Sequence, residues 1–268
     1  MTAVDFLPFV DRLAQISGEA IMPFFRAAFA MEDKSGGGVF DPVTEADRAA
    51  EAAMRRLIKE SFPNHGVIGE EFGAWGEMSE YVWVLDPIDG TKSFISGLPL
   101  WGTLIGLLHQ GSPCYGLMHQ PFTREKFYGD GAEAHWSGRG ARHGENATRR
   151  LLTRACAGLD RATLMTTSPK LIPEALRPRY EALEAKTRLV RYGGDCYAYC
   201  MLAAGHVDLV VEAGLNAYDI VALIPIVRGA GGVVTTWDGG DPSKGGAIVA
   251  AGDRRTHEQA LEVLNADL

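Results

Sequence analysis

The chain has 268 residues, 46% of them hydrophobic and 22% charged, with a formal net charge of −8. This is enough for one large or two small globular domains and excludes a disordered or fibrous chain. The acidic balance speaks against nucleic-acid binding, which needs a concentrated basic face, and no run approaches the roughly 18 apolar residues of a membrane span. The N-terminal MTAVDFLPFVDRLAQ has no basic segment followed by an apolar core, so a cytoplasmic location is expected. Cys114, Cys156, Cys196 and Cys200 show no Cys-x-x-Cys spacing and read as small packing groups.

Residues 4–29 read as an amphipathic helix, with Phe6, Phe9, Val10, Leu13, Ile16, Ala20 and Phe24 recurring at three- and four-residue steps. Pro8 stands near its start, and Pro23 is placed to kink or end it. Lys34-Ser35-Gly36-Gly37-Gly38 reads as a loop. A second helix is expected from Glu45 to about Ser61, with Thr44 as its N-cap. Asp47 falls in the first turn, where the helix dipole favours an acid whatever else it does. Val67-Ile68 reads as a short strand ending in Gly69-Glu70-Glu71, an acid at a strand's carboxyl end.

The same pattern recurs more strongly in YVWVLDPIDGTKSFISGLPLWGTLIG, residues 81–106. Tyr81–Leu85 reads as a buried strand, after which Asp86 and Asp89 fall in a turn that Pro87 stiffens and Gly90 bends. Two acids that close repel unless a cation lies between them, and a hard divalent ion such as Mg²⁺ suits oxygen ligands shared with a phosphate. Gly90, Thr91, Lys92 and Ser93 read as the first turn of a short helix, whose free N–H groups suit a phosphate oxyanion. An Asp-Pro turn with Asp89 as a helix cap accounts for one acid and not the other.

Strands are expected at Trp101–His109 and Cys114–Gln120, joined by a turn near Gly111-Ser112, and again near Lys126–Tyr128 and Ala132–Trp136, which makes an antiparallel sheet. From about Leu151 the rhythm alternates: strand Thr163–Thr166, helix Glu174–Leu183, strand Thr187–Arg191, helix Cys196–Ala204, strand Val207–Val211. Two lobes are therefore expected, 1–145 and 146–268. Asn216-Ala217-Tyr218-Asp219 opens a helix, Ile220–Arg228, in which Pro225 predicts a kink or a missing hydrogen bond. An acid at a helix start is commonly a cap, which leaves Asp219, and Asp195 ahead of Cys196, open between capping and site chemistry. The seven histidines lack ligand spacing.

The run DPIDGTKSFISGLPLWGTLIGL, with VTEAD at 43–47, Gly69-Glu70-Glu71 and Tyr218-Asp219 followed by Gly231-Gly232, resembles the inositol monophosphatase-like family, most of all its histidinol-phosphate phosphatase branch. The resemblance covers about Lys34 to Val249. It implies an α+β fold, a layered αβαβα sandwich of the sugar-phosphatase type, and Mg²⁺-dependent hydrolysis of a phosphate monoester. Two or three Mg²⁺ ions, replaceable by Mn²⁺ and sensitive to Li⁺, would be held by Glu70, Asp86, Asp89, Asp219 and the Ile88 carbonyl. Asp47 and Thr91 would orient the attacking water, with Glu70 also in the catalytic set, and Gly90 and Thr91 would hold the phosphate. Arg191, Asp195, Glu212 and Asp89 would contact the alcohol, and Lys34 corresponds to a lysine-bearing loop that helps order a metal. Lys92-Ser93 and Asp195 point to L-histidinol phosphate, which carries an ammonium and an imidazole. Inositol-1-phosphate or a broader sugar or nucleotide range is the second enzyme reading, and a non-catalytic metal- or phosphate-binding protein is the reading of another class. The expected partner is a small phosphate ester, with neither nucleic acid nor membrane, and a homodimer is possible on family grounds.

Overall fold

The structure, a computed structural model, describes residues 6–27, 42–140 and 145–266. Helices α1 (Leu7–Ile21) and α2 (Pro42–Ser61) pack against each other. α1 ends earlier than the sequence pattern suggests, because Pro23 has no N–H to continue the ladder, and the chain turns through residues 22–26. α2 begins at Pro42, where the missing proline N–H would have no helical partner anyway. Thr44 therefore lies inside the first turn and is not the cap.

Eight strands form the first sheet: β1 (Gly66–Gly69), β2 (Gly73–Trp75), β3 (Tyr81–Asp89), β4 (Gly102–His109), β5 (Ser112–Gln120), β6 (Glu125–Gly129), β7 (Ala134–Arg139) and β8 (Asn146–Arg150). Their order is β2-β1-β3-β4-β5-β6-β7-β8, antiparallel throughout except that β1 runs parallel to β3. A short helix, α3 (Thr91–Ile95), leaves the end of β3. Strand β8 extends the first sheet beyond the expected boundary at 145/146.

The second sheet holds β9 (Thr163–Thr166), β10 (Leu189–Tyr192), β11 (Leu209–Leu215), β12 (Val233–Thr236) and β13 (Gly246–Ala251), in the order β10-β9-β11-β13-β12. Its helices are α4 (Arg177–Glu184), α5 (Asp195–Ala203), α6 (Ala217–Ile220), α7 (Leu223–Gly229) and α8 (Arg254–Leu264). The single helix expected over 220–228 is broken at Val221-Ala222, the turn whose carbonyls Pro225 cannot serve as donor.

Among the described residues, apolar interiors separate the layers. One, with Val10, Leu13, Met54, Ile58 and Trp83, lies between α1/α2 and the first sheet. Another, with Leu104, Phe127, Tyr199, Ile224 and Val210, joins the first sheet to α5 and α7 and these to the second sheet. A third, with Leu164, Tyr180, Leu183, Val249 and Leu264, packs α4 and α8 on the outer face. The result is a layered αβαβα arrangement. Each fully buried leucine or isoleucine contributes about 1.5–3 kcal/mol, so the strand ends at the middle layer are held by a packed core on both sides.

Candidate active site

The site starts where β3 stops being regular. Asp86 pairs with Leu104 and Asp89 with Gly102, with a register shift between them. The turn expected after Leu85 is in fact a bulged continuation of the strand. Pro87 cannot donate to the ladder, and the backbone N–H of Ile88 turns aside to the Asp86 carboxylate, 3.1 Å away. The freed Pro87 carbonyl accepts the Thr103 hydroxyl at 2.8 Å. Residues three apart on a flat strand face opposite ways, and the bulge removes that opposition. Asp86, Asp89 and Asp219 consequently present carboxylate oxygens all within 4.8 Å of one another.

Asp219 arrives from the second half of the chain on α6. It accepts from the backbone N–H of the N-cap Asn216 at 2.6 Å, so it is both the N3 partner of a capping box and a member of the cluster. Asp89 reaches the opposite way, accepting from the Cys196 N–H at 2.6 Å at the start of α5. Three residues with positive φ, Gly193, Gly194 and Asp195, turn the chain into that helix, and the non-glycine Asp195 at φ 44° is uncommon there. Asp195 lies in the first turn of α5 after Gly194, and its Oδ2 accepts the Ser93 hydroxyl at 3.1 Å. Gly90 has φ 88°, and a Cβ on it would meet Asp195 Oδ2, the Leu100 carbonyl and Trp101 Cα, each at 3.1 Å. Only glycine lets the end of β3 turn into α3 against α5.

Burial and mutual repulsion set the charge state of the cluster. Burial, then Asp89, Glu70 and Asp219, push the Asp86 carboxyl well above the usual carboxylate range. Burial, then Asp195 and Asp219, do the same to Asp89. Glu70 and Asp219 are also raised, chiefly by burial, with the neighbouring Asp86 carboxyl pulling each back. Such carboxyls hold protons unless a cation replaces them, and an all-oxygen donor set of this kind fits a hard divalent ion.

Asp47 and Glu51, one turn apart on α2, are buried on its inner face at 5% and 0% exposure. Asp47 is among the charges felt by Asp86. The Thr91 hydroxyl donates to the Ile88 carbonyl at 3.2 Å, which joins two predicted site residues. Lys34 lies outside the described residues.

Beside the cluster is a cleft of about 150 Å³ between the two sheets, lined by Asp89, Asp195, Cys196, Tyr199, Glu212, Asp219, Thr166, Thr167, Leu171 and Ile172, among others. Glu212 is buried, and its oxygens accept the Thr167 N–H at 3.0 Å, the Thr167 hydroxyl and the Tyr199 hydroxyl at 3.0 Å. Burial raises its carboxyl while these donors pull it back. Arg191 is exposed on strand β10 at the sheet's edge and is not among the residues lining this cleft, because β10 is the outermost strand. Sequence reasoning passed over Glu51, Thr167 and Tyr199. Glu51 stands four residues after Asp47, Thr167 just beyond strand β9, and Tyr199 four after Asp195, and those spacings were the available signals.

An acid cluster built only of oxygen donors, beside a helix start and at the junction of two sheets, is chemistry for phosphate esters and hard cations. The class is that of the metal-dependent phosphatases. The chain belongs to the inositol monophosphatase family, whose profile it matches over residues 5–267. It is 44% identical over 266 residues to the bifunctional phosphatase IMPL2, chloroplastic, of Arabidopsis thaliana, covering 95% of this chain and 73% of that protein. It is 37% identical over 228 residues to a histidinol-phosphatase of Mycobacterium tuberculosis, covering 84% and 85%. Its fold is similar to that of an inositol monophosphatase from Zymomonas mobilis, with TM-score 0.84, 37% identity, and 98% and 100% of the two chains covered. The family is metal-dependent and acts on small phosphate esters. No helix among the described residues is long and apolar enough to cross a membrane.

Proposed function

We propose that the chain hydrolyses L-histidinol phosphate to L-histidinol and phosphate with Mg²⁺. The observation that carries the chemistry is the convergence of Asp86, Asp89 and Asp219 within 4.8 Å beside the start of α3. These three, with Glu70 and the Ile88 carbonyl, would hold the ions. When bound, Mg²⁺ supplies positive charge against the phosphoryl oxygens and acidifies the attacking water. The Thr91 hydroxyl, anchored by donating to the Ile88 carbonyl, keeps its lone pairs for that water, and Asp47, buried on α2, would serve with it to orient the water. Backbone N–H groups of Gly90 and Thr91 hold the phosphoryl oxygens.

The substrate reading rests on Asp195 in the cleft and on the histidinol-phosphatase among the relatives. An aspartate held by Ser93 offers a second acceptor lone pair to an ammonium group. Glu212, already accepting three hydrogen bonds, shapes the wall and keeps Tyr199 and Thr167 in place. Phosphate release with Mg²⁺ from L-histidinol phosphate and from myo-inositol 1-phosphate, with Asp86→Asn as blank, tests this. A large kcat/KM preference for histidinol phosphate, lost in the variant, is expected. Equal or reversed preference overturns the substrate, and no turnover of either brings forward a non-catalytic binding protein.

A further inference from the structure

Glu51 is a fully buried carboxylate that takes no part in the acid cluster, yet apart from its helix neighbour Arg55 every group it holds belongs to the turn that carries Glu70. Its Oε2 accepts the Glu71 backbone N–H at 2.8 Å, and its Oε1 accepts the Phe72 N–H at 3.2 Å and Arg55 Nε at 2.6 Å. Arg55, one turn further along α2, donates to the Gly73 carbonyl. Three successive residues after Glu70 are thus tied to one helix, while Glu70's own N–H bonds the Leu85 carbonyl of β3 at 3.3 Å. The approach is so close that a Cβ on Gly69 would lie 2.1 Å from Glu51 Oε1.

Glu70 has to hold its carboxylate toward those of Asp86 and Asp219, and like charges repel. Repulsion of that kind pushes an exposed turn outward, and the Glu51 fork opposes it. We propose that Glu51 is a positioning residue: it clamps the Glu70 turn to the helix bearing Asp47, so that the Glu70 carboxylate is already in place when the cation arrives. The proposal rests on the metal-dependent reading above. A supporting residue of this kind typically changes metal affinity by about 10–100-fold when replaced.

The test is a double-mutant cycle in the full chain. Mg²⁺ binding is measured by isothermal titration calorimetry without substrate for wild type, Glu51→Gln, Glu70→Ala and the double variant, with the Mg²⁺ requirement for phosphate release alongside. Glu51→Gln, which puts an amide donor against two N–H groups, is expected to weaken binding about 10–100-fold while KM for the ester at saturating Mg²⁺ stays within about two-fold. On the Glu70→Ala background the same substitution changes Mg²⁺ affinity by less than about two-fold, because no carboxylate remains to be positioned. Equal weakening in both backgrounds, or a lower melting temperature with unchanged Mg²⁺ affinity, overturns the positioning role. Should Glu51→Gln fail to fold, Arg55→Lys, which releases the Gly73 carbonyl and leaves Glu51 in place, goes through the same cycle with a smaller shift expected in the same direction. A wild-type chain that binds no Mg²⁺ overturns the metal reading and this proposal together, whereas normal wild-type binding with additive variants overturns only this proposal.

Discussion

Asp86→Asn should make the metal-free protein more stable and the Mg²⁺-loaded protein less so. Two unit charges 4.8 Å apart repel by about 3.5 kcal/mol at an effective dielectric of 20, and Asp86 has two such neighbours in Asp89 and Asp219. The folded chain avoids part of that repulsion by keeping protons on the cluster, so the recoverable gain is smaller, about 2 kcal/mol. Asparagine retains the oxygen that accepts from Ile88, so the local hydrogen bond survives and the difference is electrostatic. For a chain of this size that is a rise in melting temperature of about 4–8 °C in EDTA. In millimolar Mg²⁺ the order should reverse, since wild type gains about 2.7 kcal/mol at a hundredfold excess over Kd and the variant gains little.

The pH dependence has a definite sign. A carboxyl whose pKa is higher folded than unfolded binds its proton more readily in the folded state, as Asp86 and Asp89 do. The metal-free wild type therefore gains stability as pH falls from neutral through the raised values, and the gain is complete below the ordinary carboxylate range. Asp86→Asn flattens that rise. Thermal melts in EDTA at several pH values, repeated with Mg²⁺, read both effects. If Asp86→Asn is destabilised in EDTA at neutral pH, or if Mg²⁺ raises both proteins equally, the account of the cluster as a repulsive cation site is wrong.

Asp195→Asn keeps the acceptor for Ser93 but removes the charge. Loss of a charge-assisted hydrogen bond of about 1.5–3 kcal/mol should raise KM for L-histidinol phosphate about 10–100-fold and leave KM for myo-inositol 1-phosphate nearly unchanged, and parallel increases for both esters would remove Asp195 from substrate selection. Away from the site, Arg154 donates to both oxygens of buried Asp208 at 2.7 and 2.6 Å, and Asp208 also accepts the Thr163 N–H at 2.8 Å. Arg154→Met strands that carboxylate and should lower urea-unfolding stability by about 3 kcal/mol with the Mg²⁺ requirement unchanged; a loss below about 1 kcal/mol would show that water replaces the half-exposed guanidinium.

Residue order alone determined much of this protein. The apolar run before Asp86, the alternation after Leu151 and the caps near Asp219 are local patterns, and periodicity and turn chemistry make local patterns readable. The motif around Asp86-Pro87-Ile88-Asp89-Gly90 pointed to a cation because two acids flanking a proline at a strand end can share a turn, where they repel unless a cation lies between them. Tertiary structure decided what depends on contacts between distant segments. Pro87's missing N–H bulges β3 instead of ending it, and that bulge brings Asp86 and Asp89 to one place. Asp219 joins them across 130 residues, Asp89 caps α5, and Glu51 holds a turn 20 residues away. Arg191 fell outside the cleft because strand order, which no local pattern records, put β10 at the sheet's edge. A carboxylate looks the same in sequence whether it ends in solvent, in a cap or against another carboxylate. Only packing the layers together sets its neighbours, and the neighbours set its charge and its chemistry.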